Sequence, residues 1–88
     1  MGHLNESELS ISLKESLKKV EIGAAYVSYK DPTKPYIVLH IGLWEATEEP
    51  SVIYQALYGD KIIWIRPLSK FIELVDKEGE LVPRFLRL

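Results

Sequence analysis

Gln55, Trp64 and Arg66, close to the middle of the chain, have the side chains best suited to hold a ligand. A tryptophan beside an arginine on an exposed sheet face can grip a flat or anionic group by stacking and charge-assisted hydrogen bonds. Trp44 and Tyr58 add aromatic surface, so the candidate contact set is Trp64, Arg66, Gln55, Trp44 and Tyr58. A competing assignment puts Trp64 in the core, with Arg66 packed along it and paired to Glu45 or Glu49. Burying a tryptophan contributes several kcal/mol at about 25 cal/mol per Å², so a small core has reason to use one. The Arg84/Arg87 tail with Phe85 is a second candidate, and it also reads as a closing strand that snorkels its arginines.

Catalytic groups are sparse. His3 and His40 are the two histidines. His3 stands near the N-terminal end. His40 lies inside an apolar run, where a hydrogen-bonded structural histidine is the simpler reading. No His-x-His or His-x-x-x-His spacing offers a zinc site, and nothing aligns His40 with a serine and a carboxylate. Glu45, Glu48 and Glu49 could bind a hard cation or act as an acid pair, but an acidic loop is usually solvated surface. No glycine-rich phosphate cradle is present. No catalytic residue, metal or cofactor is therefore assigned.

These residues must be positioned by Val52 to Phe71, VIYQALYGDKIIWIRPLSKF. Two β-prone runs flank Gly59-Asp60 and predict a β-hairpin. Gly59 accepts the positive φ of a primed turn, and Asp60 tolerates the next position. A two-residue loop pairs Ala56 with Ile63, Gln55 with Trp64, Tyr54 with Ile65 and Ile53 with Arg66. One face then holds Tyr54, Ala56, Tyr58, Ile63 and Ile65 as core. The other holds Ile53, Gln55, Leu57, Ile62, Trp64 and Arg66. A three-residue loop would slip the strands by one residue and regroup both sets.

The flanking chain supplies the frame. Leu9, Leu13, Leu17 and Val20 recur at helical spacing, predicting a helix over 4–20. Asn5 suits its N-cap, with Glu8 three residues on and Leu4 and Leu9 as a hydrophobic staple. Lys14, Lys18 and Lys19 suit its C-terminal end. Leu9 to Leu13 also alternates with period two, as a short strand would. A β core over 24–88 follows. Ala24 to Tyr29 is its first strand, and Lys30 to Pro35 is a turn, because two prolines oppose a continuous central strand. Tyr36 to Trp44 crosses the middle and bends at Gly42. Glu45 to Ser51 is an acidic loop. Pro67 to Lys70 is a single helical turn. Phe71 to Asp76 and Leu81 to Leu88 close the sheet around a turn at 77–80. The fold class is mainly β with one N-terminal helix, built as a small, strongly bent antiparallel sheet or an SH3-like, partly open barrel.

Composition narrows the field. Eighty-eight residues make a single domain, which buries roughly 60–65% of its unfolded surface. The chain has no cysteine, which excludes disulfides and thiolate sites and favours a reducing cytoplasm. No apolar run reaches the ~20 residues of a membrane span, and no signal-peptide pattern opens the chain. A net charge of −2 disfavours non-specific nucleic-acid binding.

The stretch YIVLHIGLWEATEEPSVIYQALYGDKIIWIRPLSKFIELV and the closing VPRF resemble the bacterial domain of unknown function 1653 family, over about residues 24–88. Thr47, Glu49, Pro50, Val52 and Tyr54 match its T-x-E-P-x-V-x-Y element, and Ala56 to Gly59 its A-L-Y-G turn. Trp64, Arg66, Pro67, Leu68 and Phe71 match W-V-R-P-L-x-x-F, and Val82 to Phe85 match V-P-R-F. The first element departs, since Val27 and Ser28 replace the usual Arg-His between Tyr26 and Tyr29-Lys30. Gln55 stands where an arginine is common, and Trp44 where a histidine often stands. The resemblance implies a fold and a site but no reaction, and the departures remove basic groups that an anionic ligand would use.

Three functions are compatible with these residues. One is a non-enzymatic binding module that takes a protein or a small anionic or aromatic ligand on the aromatic-arginine face. Another is a nucleic-acid accessory domain using aromatic stacking. The third is a small-ligand or enzymatic domain around His40 and the acidic loop. Exposed strand edges in so small a sheet also leave pairing between chains open, as a monomer or weak dimer.

Overall fold

A computed structural model describes residues 5–88. Asn5 opens helix α1 (Glu6–Lys19), its side chain accepting the Glu8 backbone N–H at 2.9 Å. The carboxamide thereby satisfies one of the N–H groups that a helix start leaves without an intrahelical partner. Leu4 and His3 lie outside the described residues, and so does the proposed staple. The inward stripe is rotated from the leucine pattern. Ser16 and Val20 are buried while Leu17 is exposed. Ser16 tolerates burial because its hydroxyl donates to the Ser12 carbonyl at 2.8 Å.

Strands β1 (Ala25–Ser28), β2 (Asp31–Trp44), β3 (Glu49–Ala56) and β4 (Ile63–Pro67) follow, then a one-turn helix α2 (Leu68–Phe71). Strands β5 (Leu74–Lys77), β6 (Glu80–Pro83) and β7 (Phe85–Arg87) complete the chain. The main sheet has the order β4-β3-β2-β1-β7, antiparallel throughout, and β5 and β6 form a separate hairpin. The mainly β class with an N-terminal helix is as expected. The sheet is open, with β4 and β7 as its edges, rather than a closed barrel. No helix among the described residues is long and apolar enough to cross a membrane.

The core lies on one side of the sheet. Val20, Tyr26, Val38, Val52, Tyr54, Leu68 and Phe71 form its buried cluster. The Phe85 ring stacks on Phe71 at 4.3 Å between centroids, and Tyr26 and Tyr54 meet Phe71 edge-on at 5.5 and 5.3 Å. One aromatic cluster thus joins β1, β3, α2 and β7.

Three local expectations are corrected. First, β2 runs through both prolines instead of starting after them. Its partner register jumps from Val27↔Pro35 to Ser28↔Asp31, so Pro32, Thr33 and Lys34 bulge out of the ladder. The Asp31 carboxylate stabilises that bulge by accepting from the Thr33 N–H and hydroxyl, at 3.0 and 2.5 Å. Second, the irregularity in β2 falls between Val38 and His40, not at Gly42. The extra residue, Leu39, turns His40 outward, so His40 is exposed on the strand.

The third correction is the hairpin register. Tyr54 pairs with Trp64, Ile53 with Ile65 and Gln55 with Ile63, one residue away from the two-residue-loop alignment. Ala56 donates to the Ile62 carbonyl at 3.0 Å, and Lys61 to the Tyr58 carbonyl at 3.1 Å. Residues 57–61 therefore form the loop. Gly59 and Lys61 take positive φ (57° and 54°), and Asp60 does not. The two-residue primed turn occurs instead at Glu78-Gly79 (φ 53° and 87°), between paired Lys77 and Glu80. As a result Ile63 and Ile65, expected in the core, are 54% and 58% exposed.

Candidate functional site

The corrected register sorts the candidate residues onto two sides. Opposite residues share a face. Trp44 opposes Glu49, Ser51 opposes Pro67, Ile53 opposes Ile65, and Gln55 opposes Ile63. These form the outer face, away from the aromatic cluster. Trp64 and Arg66 oppose Tyr54 and Val52, so they belong to the inner side, at its margin on the edge strand. Gln55 therefore does not share a face with Trp64 and Arg66.

A groove of about 570 Å³ opens on the outer face. Glu49 and Ser51 of β3 border it in the middle, Trp44 and Thr47 on one side, and Ile63 to Ile65 with Pro67 on the other. The groove is rimmed by apolar groups that ordinarily belong in a core: Trp44 is 53% exposed and Trp64 49%. Trp64 is thus not core. The acidic rim is locally tied. Thr47 Oγ1 accepts from the Glu49 N–H at 3.3 Å, and Ser69 Oγ donates to Glu49 Oε1 at 3.3 Å. The charge at the groove is therefore a carboxylate and not the Arg66 guanidinium.

Arg66 works elsewhere. Its Nη2 lies 3.6 Å from Glu73 Oε1, so its carboxylate partner is neither Glu45 nor Glu49. Glu73 also accepts from Arg84 Nε at 2.6 Å and lies 3.9 Å from Lys70 Nζ. The hydrogen bond from Arg84 holds the Glu73 carboxyl below the usual carboxylate range, and the three cations act in the same direction. Arg66 Nε is buried without a hydrogen-bond partner. The Tyr54 hydroxyl beside it is pushed up by burial, against the opposing pull of Arg66. This cluster pins the end of β4 to the segment after α2 and to the approach to β7.

The other two candidates are also tied down. Gln55 Nε2 donates to the Lys61 carbonyl at 3.0 Å and so braces the hairpin loop. The Tyr58 hydroxyl is hydrogen-bonded to that of Tyr36. Burial, then that hydrogen bond, push the Tyr36 phenol up to about 12. The Arg84/Arg87 tail is architectural too: Arg84 serves Glu73, and Arg87 pairs with Glu21. Neither His40 nor Glu45 borders the groove. Sequence reasoning missed Glu73 and Tyr36. Glu73 fell in an expected strand, and only the two arginines of the W-V-R-P-L and V-P-R-F motifs hinted that a shared anion was needed.

Comparison with known proteins agrees with this frame. The family described as "Protein of unknown function (DUF1653)" matches residues 24–87. The crystal structure of a protein of that family from Bordetella bronchiseptica is similar, with 28% identity and a TM-score of 0.66. The similarity covers 78% of this chain and 87% of that one. Among curated proteins, none matches the chain.

Proposed function

We propose that this chain, which belongs to the DUF1653 family, is a non-enzymatic interaction module that takes an extended apolar segment of a protein partner on its outer face. The contact surface is the groove between Trp44 and β4. One observation carries the reading: Trp44, Ile63, Trp64 and Ile65 are all about half exposed around a single groove. Contiguous apolar surface of this kind marks interaction sites in soluble proteins, whereas single exposed apolar residues do not. An open strand edge beside the groove adds main-chain donors and acceptors for an extended segment.

The groove chemistry narrows the partner. Its titratable group is Glu49, so an apolar segment carrying a basic residue fits, and a small anionic ligand does not. The same carboxylate opposes nucleic acid, whose phosphates need cations. Arg66, tied to Glu73, is assigned a positioning role at the end of β4. Trp44, Ile63 and Ile65 are the binding residues, Trp64 borders the groove from the margin of the edge strand, and Gln55 and Tyr58 support the loop. The chain is read as one domain acting in the cytoplasm, on its lack of cysteine.

Panning a library of short peptides against the intact chain tests this. Captured peptides should alternate apolar residues, carry a lysine or arginine, and bind at least about tenfold more weakly to Trp44→Ala. Glu49→Gln should erase the preference for the basic residue. A library that yields no peptide dependent on Trp44 or Trp64 would sink the proposal.

A further inference from the structure

We infer that the free edge of β4 pairs with β4 of a second copy of this chain, antiparallel across a two-fold axis at Trp64. The inference rests on the open edge beside the groove described above and names what pairs with it. It starts from the backbone of β4. The Ile62 carbonyl accepts from Ala56 N–H, so Ala56/Ile62 is a hydrogen-bonded pair. Pair types alternate along an antiparallel ladder, so Trp64 and Arg66 also turn their backbone groups toward β3. Ile63 and Ile65 turn theirs away from the sheet. Since β4 is an edge strand, those two N–H and two C=O groups form a free template.

The template selects its own register. Ile63 and Ile65 both form hydrogen-bonded pairs, with the partner's Ile65 and the partner's Ile63, when Trp64 faces the partner's Trp64 on the axis. A slip toward the loop would draw on Lys61, which takes positive φ (54°) and is not extended. A slip toward α2 meets Pro67, which has no N–H to give. The faces agree with this frame. The exposed isoleucines oppose isoleucines, and the half-exposed tryptophans meet at a non-hydrogen-bonded position, where side chains are closest.

The ends of the paired strands do not clash. The same register sets exposed Lys61 opposite the partner's Pro67, at the end where Glu49 shares the groove with Pro67. The alternative, β4 on the far edge β7 of the next copy, is a head-to-tail contact that builds a ring or a filament, whereas β4 on itself closes as a two-fold dimer. The area is small. Half-exposed side chains of this size offer on the order of 100 Å² each, so Ile63, Trp64 and Ile65 provide about 300 Å² per chain against ~800 Å² in a standard interface. The dimer is consequently weak and populated only at high concentration.

Sedimentation equilibrium of the full chain from about 1 µM to 1 mM tests the inference, with dissociation expected on the order of 100 µM for so small an interface. Trp64→Lys and Trp64→Glu should each weaken association about tenfold, because like charges meet on the axis. An equimolar mixture of the two should restore it, as the heterodimer sets lysine against glutamate. Ile65→Pro should also be monomeric, since it removes only an outward N–H, and far-UV circular dichroism should show all three variants folded. A wild-type chain that stays at 10.1 kDa up to 1 mM overturns the pairing. So does a mixture no more associated than its parts. Tryptophan-dependent peptide capture by such a monomer would leave the groove reading intact. Dimerisation with no peptide captured would support the pairing of β4 edges and sink the peptide-groove reading.

Discussion

The hairpin register can be measured through the stability cost of two isoleucines. Ile65 is 58% exposed, so folding removes about two-fifths of its surface from water. Full burial of an isoleucine contributes about 1.5–3 kcal/mol, so Ile65→Ala should cost about 0.6–1.2 kcal/mol. Ile63, 54% exposed, should behave alike. A register one residue away would put both in the core, where the same truncation costs about 2–5 kcal/mol. Val52, with 0% exposure, is the internal control, and its truncation should cost about 2–3 kcal/mol. Urea unfolding at about 1 µM protein, where association through β4 contributes nothing, reads the difference. With a slope near 1 kcal/mol per M for so small a domain, the isoleucine variants should shift the midpoint by about 1 M or less. A loss above 2 kcal/mol in either isoleucine variant, equal to that of Val52→Ala, would refute the observed register and with it the exposed groove wall.

Three further outcomes follow from the frame. Phe71→Ala should cost about 3–5 kcal/mol in the same assay, because the ring is 1% exposed and touches Phe85, Tyr26 and Tyr54; a cost under 1 kcal/mol would remove it from the core. Tyr36→Phe should delete the tyrosine that ionises near 12 from an alkaline absorbance titration. Because that group holds its proton more tightly when folded, its contribution to stability is complete below about pH 10 and fades as pH rises toward 12, and the variant should lose that part of the alkaline decline. Glu73 has the opposite sign: its lowered pKa gives stability that is present above the ordinary carboxylate range and lost as pH falls through the folded value. Glu73→Gln should therefore be less stable at neutral pH and show a flatter acid limb, and an unchanged acid limb would count against the Arg84 and Arg66 pairing.

The sequence carried the elements better than their alignment. Asn5, the one-turn helix after Pro67 and the open hairpin were legible because each rests on a local signal: a cap, a fixed φ, a turn glycine. The register was not, because Ile62 to Ile65 is apolar at every position and lacks the alternation that would lock one face inward. Gly59-Asp60 resembles the two-residue turn that the chain actually places at Glu78-Gly79. The bulge in β2 was misplaced for a related reason: a single extra residue, Leu39, reverses the facing of everything after it, and no turn residue announces it. The Glu73 cluster was hidden because its members come from β4, α2 and the approach to β7, and only the folded chain brings them together.

Trp64 and Arg66 stand two residues apart in one motif and lie on the same strand side, yet they do different work. An edge strand is held by one neighbour, so β4 depends on β3 alone along its length. At its C-terminal end it gains a second hold, where Arg66 reaches Glu73 and Glu73 accepts from Arg84. That fastening lies on the core side and leaves the outward N–H and C=O groups of Ile63 and Ile65 unused. The strand is thus fixed in place without being covered. A site that must present an apolar wall and a free backbone edge needs both conditions together, since an unfastened edge would fray and a covered one could bind nothing. The W-x-R-P order meets them in four residues: an exposed aromatic, an anchor to the frame, and a proline that ends the strand's hydrogen-bonding capacity where α2 begins.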